Sequence, residues 1–149
     1  MTSLPSTDPV AAGLAALPES LRRDLAGRWS RFAAQWPDAA GAFSAQADLA
    51  EAAPRVWAAS DFVAEQTLRD GARLQALAAT AQQPWTPGTL LAAAGELLAG
   101  VAEEAEAMTR LRAFRRSEML RIAWRDLSGW AALEETLGHL SELAEVCIR

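Results

Sequence analysis

"LRAFRRSEMLRIAWRDL", residues 111–127, decides what kind of fold this chain adopts. The stretch holds no proline or glycine, and at about 100° per residue it winds into a helix with two cationic stripes. Arg110, just before it, shares one stripe with Arg121 and Arg125, while Arg112, Arg115 and Arg116 lie on a second face. Leu120, Ile122, Ala123, Trp124 and Leu127 fill much of the remaining surface. A helix that is apolar on more than one side is enclosed by neighbours. Its arginines then either reach outward along their stems or pair with buried carboxylates. Three readings stay open: a solvated face with pairs such as Glu118 to Arg121, a cationic patch facing phosphate or an acidic partner, and a nucleic-acid helix.

The composition narrows these. Net charge is −5, so the chain has no general attraction for nucleic acid or an anionic membrane surface, and no helix-turn-helix spacing is evident. Alanine, leucine, glutamate and arginine dominate, while lysine, tyrosine and asparagine are absent. Such residues lose little freedom in helices. Arginine in place of every lysine suggests a GC-rich bacterial genome. One cysteine, Cys147, excludes an internal disulfide and fits a reducing cytoplasm. The start lacks the basic and apolar regions of a signal peptide, and "LLAAAGELLAGVA" (90–102) is cut by Glu96, so no membrane span is expected.

Outward from the arginines, helical spacing continues. Leu21, Leu25, Trp29, Phe32 and Trp36 form one helix face behind Pro18, and Pro37 stops it. Residues 38–53 are weakly patterned and read as a short helix or ordered loop. Pro54 is expected to open the next segment, with Ser60 or Asp61 capping a turn within it and Gly71 ending it. "QQPWTPGT" (82–89) is a loop, from which Thr86 and Pro87 start a helix whose buried stripe runs from Leu90 to Met108. Its continuation into the arginines bends near Met108 or runs on, and Gly129 breaks it. Leu133, Leu137, Leu140, Ala144 and Cys147 or Ile148 are expected to form the core stripe of the last helix. The expected fold is all-α, a bundle-like array of about five to seven helices spanning residues 18–149, after a weakly ordered segment at 1–17.

Chemical candidates are few. His139 reads as a hydrogen-bonded or exposed histidine rather than a catalyst, with Glu135 and Glu142 at helical spacing from it. The tryptophans read as core, Trp85 in its loop being the one most open to solvent. Glutamate neighbours such as Glu103 with Glu104 do not share a helix face and make poor acid–base pairs. No phosphate loop, Ser/His/Asp set or metal-ligand spacing is present, and spacing alone assigns no catalytic or metal-binding residue.

The arginine stretch, with "LEETLGHLSELAEVCI" (133–148) behind it, resembles the N-terminal helical region of bacterial glutamine synthetase adenylyltransferase/deadenylase. So does "VWAASDFVAEQTLRDGARLQAL" (56–77), where Ser60, Asp61 and Phe62 match a recurrent element, and more faintly "LPESL" (17–21). The likeness covers about residues 54–149 well. The family, as the resemblance implies, attaches AMP to a tyrosine of glutamine synthetase and removes it phosphorolytically, under control of the PII signalling protein and glutamine. The implied catalytic sheet carries a Gly-Gly turn and an Asp-x-Asp pair, which hold Mg2+ and ATP or ADP in the full-length enzyme. Neither motif occurs here, and two such carboxylates are what the chemistry needs. The chain is therefore expected to be a cytoplasmic helical fragment of the adenylyl-removing half, supporting the active site and binding no cofactor itself. It is expected to meet the remainder of the parent polypeptide, with Arg115, Arg116, Arg121 and Arg125 as candidate contacts to substrate or partner. The alternative is a free-standing helical interaction module that uses the arginine face.

Overall fold

The computed structural model describes residues 8–148; among them are nine α-helices and no strand. The described residues fall into two compact units that divide between Ala79 and Thr80.

The first unit contains α1 (Pro9–Ala15), α2 (Glu19–Gln35), α3 (Pro37–Ser44), α4 (Ala47–Ala59), α5 (Asp61–Thr67) and α6 (Gly71–Thr80), at whose end the division falls. Residues 1–7 of the segment expected to be weakly ordered lie outside the described residues. Its remainder forms α1, because Val10 and Leu14 are fully buried and Asp8 caps the helix. The Asp8 carboxylate accepts from Val10 N at 2.9 Å, Trp29 Nε1 at 2.7 Å and Ser44 Oγ at 3.1 Å, tying α1 to α2 and α3. We expect Asp8→Ala to lower stability by about 2–3 kcal/mol in urea unfolding, through a lost cap and an orphaned indole N–H. An unchanged midpoint would show that these bonds carry no net stability.

Leu25, Trp29 and Phe32 are buried as their spacing requires, while Leu21 is exposed. Pro37 both stops α2 and opens α3, since its missing N–H costs nothing in a first turn. Trp29, Phe43 and Trp57 pack mutually, with ring centroids 5.7–6.1 Å apart. Within this aromatic core Trp57 Nε1 donates to Thr67 Oγ1, which in turn donates to Val63 O, so no indole N–H is stranded there.

Two local expectations need correction. Pro54 lies inside α4 and does not open a segment. Its ring fills the space left by Gly13 on α1, where a Cβ would come within 2.7 Å of Pro54 Cγ. Burial of the ring offsets part of the cost of an interior proline. Gly71 starts α6 instead of ending a helix. It is buried because Trp36 and Ala39 approach to 3.0–3.2 Å of where its Cβ would stand. Ser60 does cap α5, accepting from Val63 N at 3.2 Å.

The second unit contains α7 (Thr89–Leu98), α8 (Glu104–Leu127) and α9 (Leu133–Ile148). α7 begins at Thr89 rather than at Pro87, because Gly88 takes a left-handed turn (φ 88°) between them. The helix is interrupted at residues 99–103, earlier than Met108, and Gly129 (φ 78°) follows the end of α8. Leu90, Ala94, Ile122, Leu143 and Val146 form the core, with Trp85, Leu91 and Phe114 packed against it. The leucine stripe expected to face that core does not. Leu133, Leu137 and Leu140 are exposed, and α9 buries Thr136, His139, Glu142, Leu143 and Val146 instead.

No helix among the described residues is long and apolar enough to cross a membrane.

Candidate functional site

The buried polar face of α9 has a purpose that emerges only with α8 and the 81–90 segment in place. Glu142 points at the start of α7, whose first amides have no partner within the helix. Its Oε1 accepts from Gly88 N at 2.6 Å, and its Oε2 accepts from Trp85 Nε1 at 2.7 Å and Leu90 N at 3.3 Å. Gly88 has no side chain to cap α7, so a carboxylate from another helix does so, at the end where negative charge is favoured.

Trp85 is pinned along its length. Its backbone N–H donates to Glu135 Oε1 at 2.7 Å, and its ring stacks on His139 at 14° with centroids 6.0 Å apart. Gly138 makes the stacking possible, because a Cβ there would lie 2.6 Å from Trp85 Cη2 and Cζ3. Expected to be the most solvent-open tryptophan, Trp85 is half-buried.

The arginines close the arrangement from α8. Arg125 Nη1 donates to Ala81 O at 3.0 Å, and its Nη2 donates to Trp130 O at 3.1 Å and Glu135 Oε2 at 3.0 Å. Arg121 Nη2 donates to Gln83 O at 2.9 Å, and its Nη1 pairs with Glu118 Oε2 at 3.1 Å. The same Glu118 oxygen accepts from His139 Nε2 at 2.8 Å. The partner of His139 is therefore Glu118 on α8, not Glu135 or Glu142. A carboxylate can only accept, so this bond places the imidazole proton on Nε2. Thr136 Oγ1 donates to Asp126 Oδ1 at 3.3 Å, adding a further α8–α9 link.

The four candidate arginines thus divide into two pairs. Arg121 and Arg125 are buried, Arg125 at 4% exposure, and their forks hold the carbonyls of the 81–84 segment inside the unit. Their guanidinium groups face the interior of this unit. Arg115 and Arg116 are exposed, as is Arg112, and none forms an ion pair with a described residue. Arg110 behaves differently again, donating to Leu97 O at 2.8 Å near the end of α7 and pairing with Glu106 at 2.6 Å. The cationic stripes read from helical spacing are real, but one is internal.

Helical spacing gives the Glu118–Arg121 pair, which the structure contains, but does not join Glu118, Glu135, Glu142 and Gly138 into one site. The available signal was a run of polar residues, Thr136, His139 and Glu142, on the side of α9 opposite its leucines.

The Mg2+ and adenine nucleotide implied for a full-length family enzyme meet no fitting donor set among the described residues. Glu118, Glu135 and Glu142 already face arginine, imidazole or N–H donors, and no three His, Cys, Asp or Glu side chains among the described residues are grouped to hold a metal ion. Cys147 is exposed, not on the core stripe.

Within the described residues, Arg121, Arg125 and Glu142 turn inward to hold the 81–90 segment, while Arg112, Arg115 and Arg116 face outward. The chain belongs to the glutamate-ammonia ligase adenylyltransferase family, whose model matches residues 50–149. Among its relatives is a bifunctional glutamine synthetase adenylyltransferase/adenylyl-removing enzyme from Thioalkalivibrio sulfidiphilus. It is 40% identical over 152 aligned positions, taking in 94% of this chain and 14% of that protein. Proteins of the same description from Pseudomonas aeruginosa and Nitrosococcus oceani are 50% and 40% identical over 63% and 62% of this chain. The chain spans only 10–14% of the length of these three relatives. No solved structure matches it.

Proposed function

We propose that this chain is the helical N-terminal portion of an enzyme that regulates glutamine synthetase, attaching AMP to a tyrosine and removing it by phosphorolysis. In this reading it shapes or covers an active site and carries no chemistry itself. The carrying observation is that the charged groups of the family-like stretch, Glu118, Arg121, Arg125, Glu135 and Glu142, are engaged with one another and with the 81–90 backbone. Such groups fix architecture and leave little to act on a substrate. Mg2+ and ATP or ADP then belong to other parts of the longer protein, as does response to PII, and the setting is the bacterial cytoplasm. The test is a release assay with adenylylated glutamine synthetase, phosphate and Mg2+. The 149-residue chain alone is expected to release no nucleotide above blank, and turnover would overturn its inert role.

A second reading, a free-standing interaction or regulatory module, is favoured by one observation: Arg112, Arg115 and Arg116 are exposed without ion-pair partners among the described residues. Under it, Arg115→Ala with Arg116→Ala weakens binding to an acidic partner, and salt weakens the unaltered complex likewise. Stability should change by less than about 0.5 kcal/mol, since both side chains are surface groups. A folded double variant that binds glutamine synthetase or PII as tightly as the unaltered chain would remove this face from consideration.

A further inference from the structure

We infer that the groove between α2 and α5, within the first unit, is a docking site for an acidic polypeptide segment that carries a bulky apolar side chain at its centre. It involves none of the charged groups on which the proposed role rests.

A space of about 390 Å3 separates the C-terminal half of α2 from α5. Its floor is apolar: Phe32 and Ala64 are buried, and Trp36 and Leu68 are half-buried beside them. Trp36 is held in place there. Its ring stands against Gly71, where a Cβ would come within 3.0 Å of Trp36 Cδ1, and packs on Phe32 with centroids 5.4 Å apart. The rim, formed by Arg31, Gln35, Glu65 and Arg69, is exposed throughout. A floor without a roof suits a polypeptide laid across it better than a small ligand, which a pocket encloses on most sides. Tryptophan and arginine are also the side chains that most often anchor protein interfaces.

The sign of the partner follows from the rim. Arg28 lines the groove too, but Asp24 and Asp61 hold it at 3.1 and 3.0 Å. Arg31 and Arg69 form no ion pair with any described residue, although Glu65 stands four residues before Arg69. Asp70, next to Arg69, is taken by Arg73, and Asp38 on α3 is not part of the walls. Two unpaired guanidiniums thus face one unpaired carboxylate across the groove. Both arginines lie near helix C-termini, whose carbonyl dipoles offset about half a charge each. The positive charge left over, presented as planar forks, fits carboxylates on either side of an apolar residue seated over Trp36 and Leu68. Nucleic acid would offer anions as well, but the chain's net charge of −5 opposes a long polyanion.

The test titrates the 149-residue chain against a labelled peptide with Leu-Phe at its centre and Asp or Glu on both sides, read by fluorescence anisotropy. A peptide with Asn and Gln in place of the acids, and an acidic peptide with Gly-Gly at its centre, should each bind about tenfold more weakly. Arg31→Ala with Arg69→Ala should weaken the first peptide about tenfold. Arg22→Ala with Arg23→Ala removes the same charge elsewhere on α2 and should not. In the chain with all its arginines, p-benzoylphenylalanine in place of Gln35 should crosslink to the acidic Leu-Phe peptide on irradiation, a result that does not depend on how the arginine variants fold. No binding of that peptide at millimolar concentration, equal binding of the neutral one, or unchanged affinity in Arg31→Ala with Arg69→Ala would overturn the inference. So would tighter binding of an oligothymidylate of equal charge, or a loss confined to Arg115→Ala with Arg116→Ala, which would place the site on α8.

Discussion

Arg125→Ala is expected to destabilise the second unit by about 3–5 kcal/mol, the range for removing one partner of a buried ion pair. The guanidinium serves three acceptors from different places, Ala81 O, Trp130 O and Glu135. Without it two carbonyls lose a donor, and among the described residues Glu135 keeps the Trp85 N–H as its remaining donor. Arg125→Lys should recover little, because one ammonium cannot reproduce a planar fork. Arg125→Met with Glu135→Gln should recover part of the loss by removing the unpaired charge, but the carbonyls stay unsatisfied. Urea unfolding of the four proteins measures this. A loss below 1 kcal/mol for Arg125→Ala would mean that water replaces the guanidinium freely and that its burial has no structural role. Arg125 Nε and Arg121 Nε are themselves buried without a hydrogen-bond partner among the described residues. The arrangement therefore carries a desolvation cost, consistent with arginines kept for position more than for net stability.

The second large effect is expected at Glu142. Glu142→Ala strands three donors, Trp85 Nε1, Gly88 N and Leu90 N, and leaves the first turn of α7 uncapped. Bonds to a charged acceptor contribute about 1.5–3 kcal/mol each but do not add, so a total near 3–4 kcal/mol is expected. Glu142→Gln keeps one acceptor oxygen and turns an NH2 group toward donors, which should cost about half as much. Because Leu90 belongs to the core with Ile122, Leu143 and Val146, the damage should spread from the loop into the unit. Equal stability of Glu142→Ala and the unaltered chain would show the bonds to be interchangeable with water.

The helical class was legible in the sequence because apolar spacing and the scarcity of breakers act locally. Ser60 and Gly129 were read correctly for the same reason, since caps and left-handed turns depend on near neighbours. Pro54 was misplaced because what tolerates it, Gly13, is distant in sequence. The faces of α9 were read the wrong way round through a sound rule applied without its partners. Leucines at heptad spacing normally outbid Thr136, His139 and Glu142 for burial. Here each of those three polar groups meets a complement elsewhere in the chain: Asp126, Glu118 and the loop amides. A buried polar group with its complement costs little. The division of the arginines was half legible, as helical angles separate Arg112, Arg115 and Arg116 from Arg121 and Arg125. Which stripe turns inward depended on carbonyls at 81–84 that no local pattern announces.

The arginine stretch and the polar face of α9 together hold the 81–90 segment. Amide hydrogen exchange at Trp85, Gly88 and Leu90 tests it most directly. Slow exchange is expected at all three, although Trp85 and Gly88 lie outside any helix, with Gly88 and Leu90 released by Glu142→Ala and Trp85 released by Glu135→Ala. Exchange of Trp85 and Gly88 at open-loop rates in the unaltered chain would contradict it.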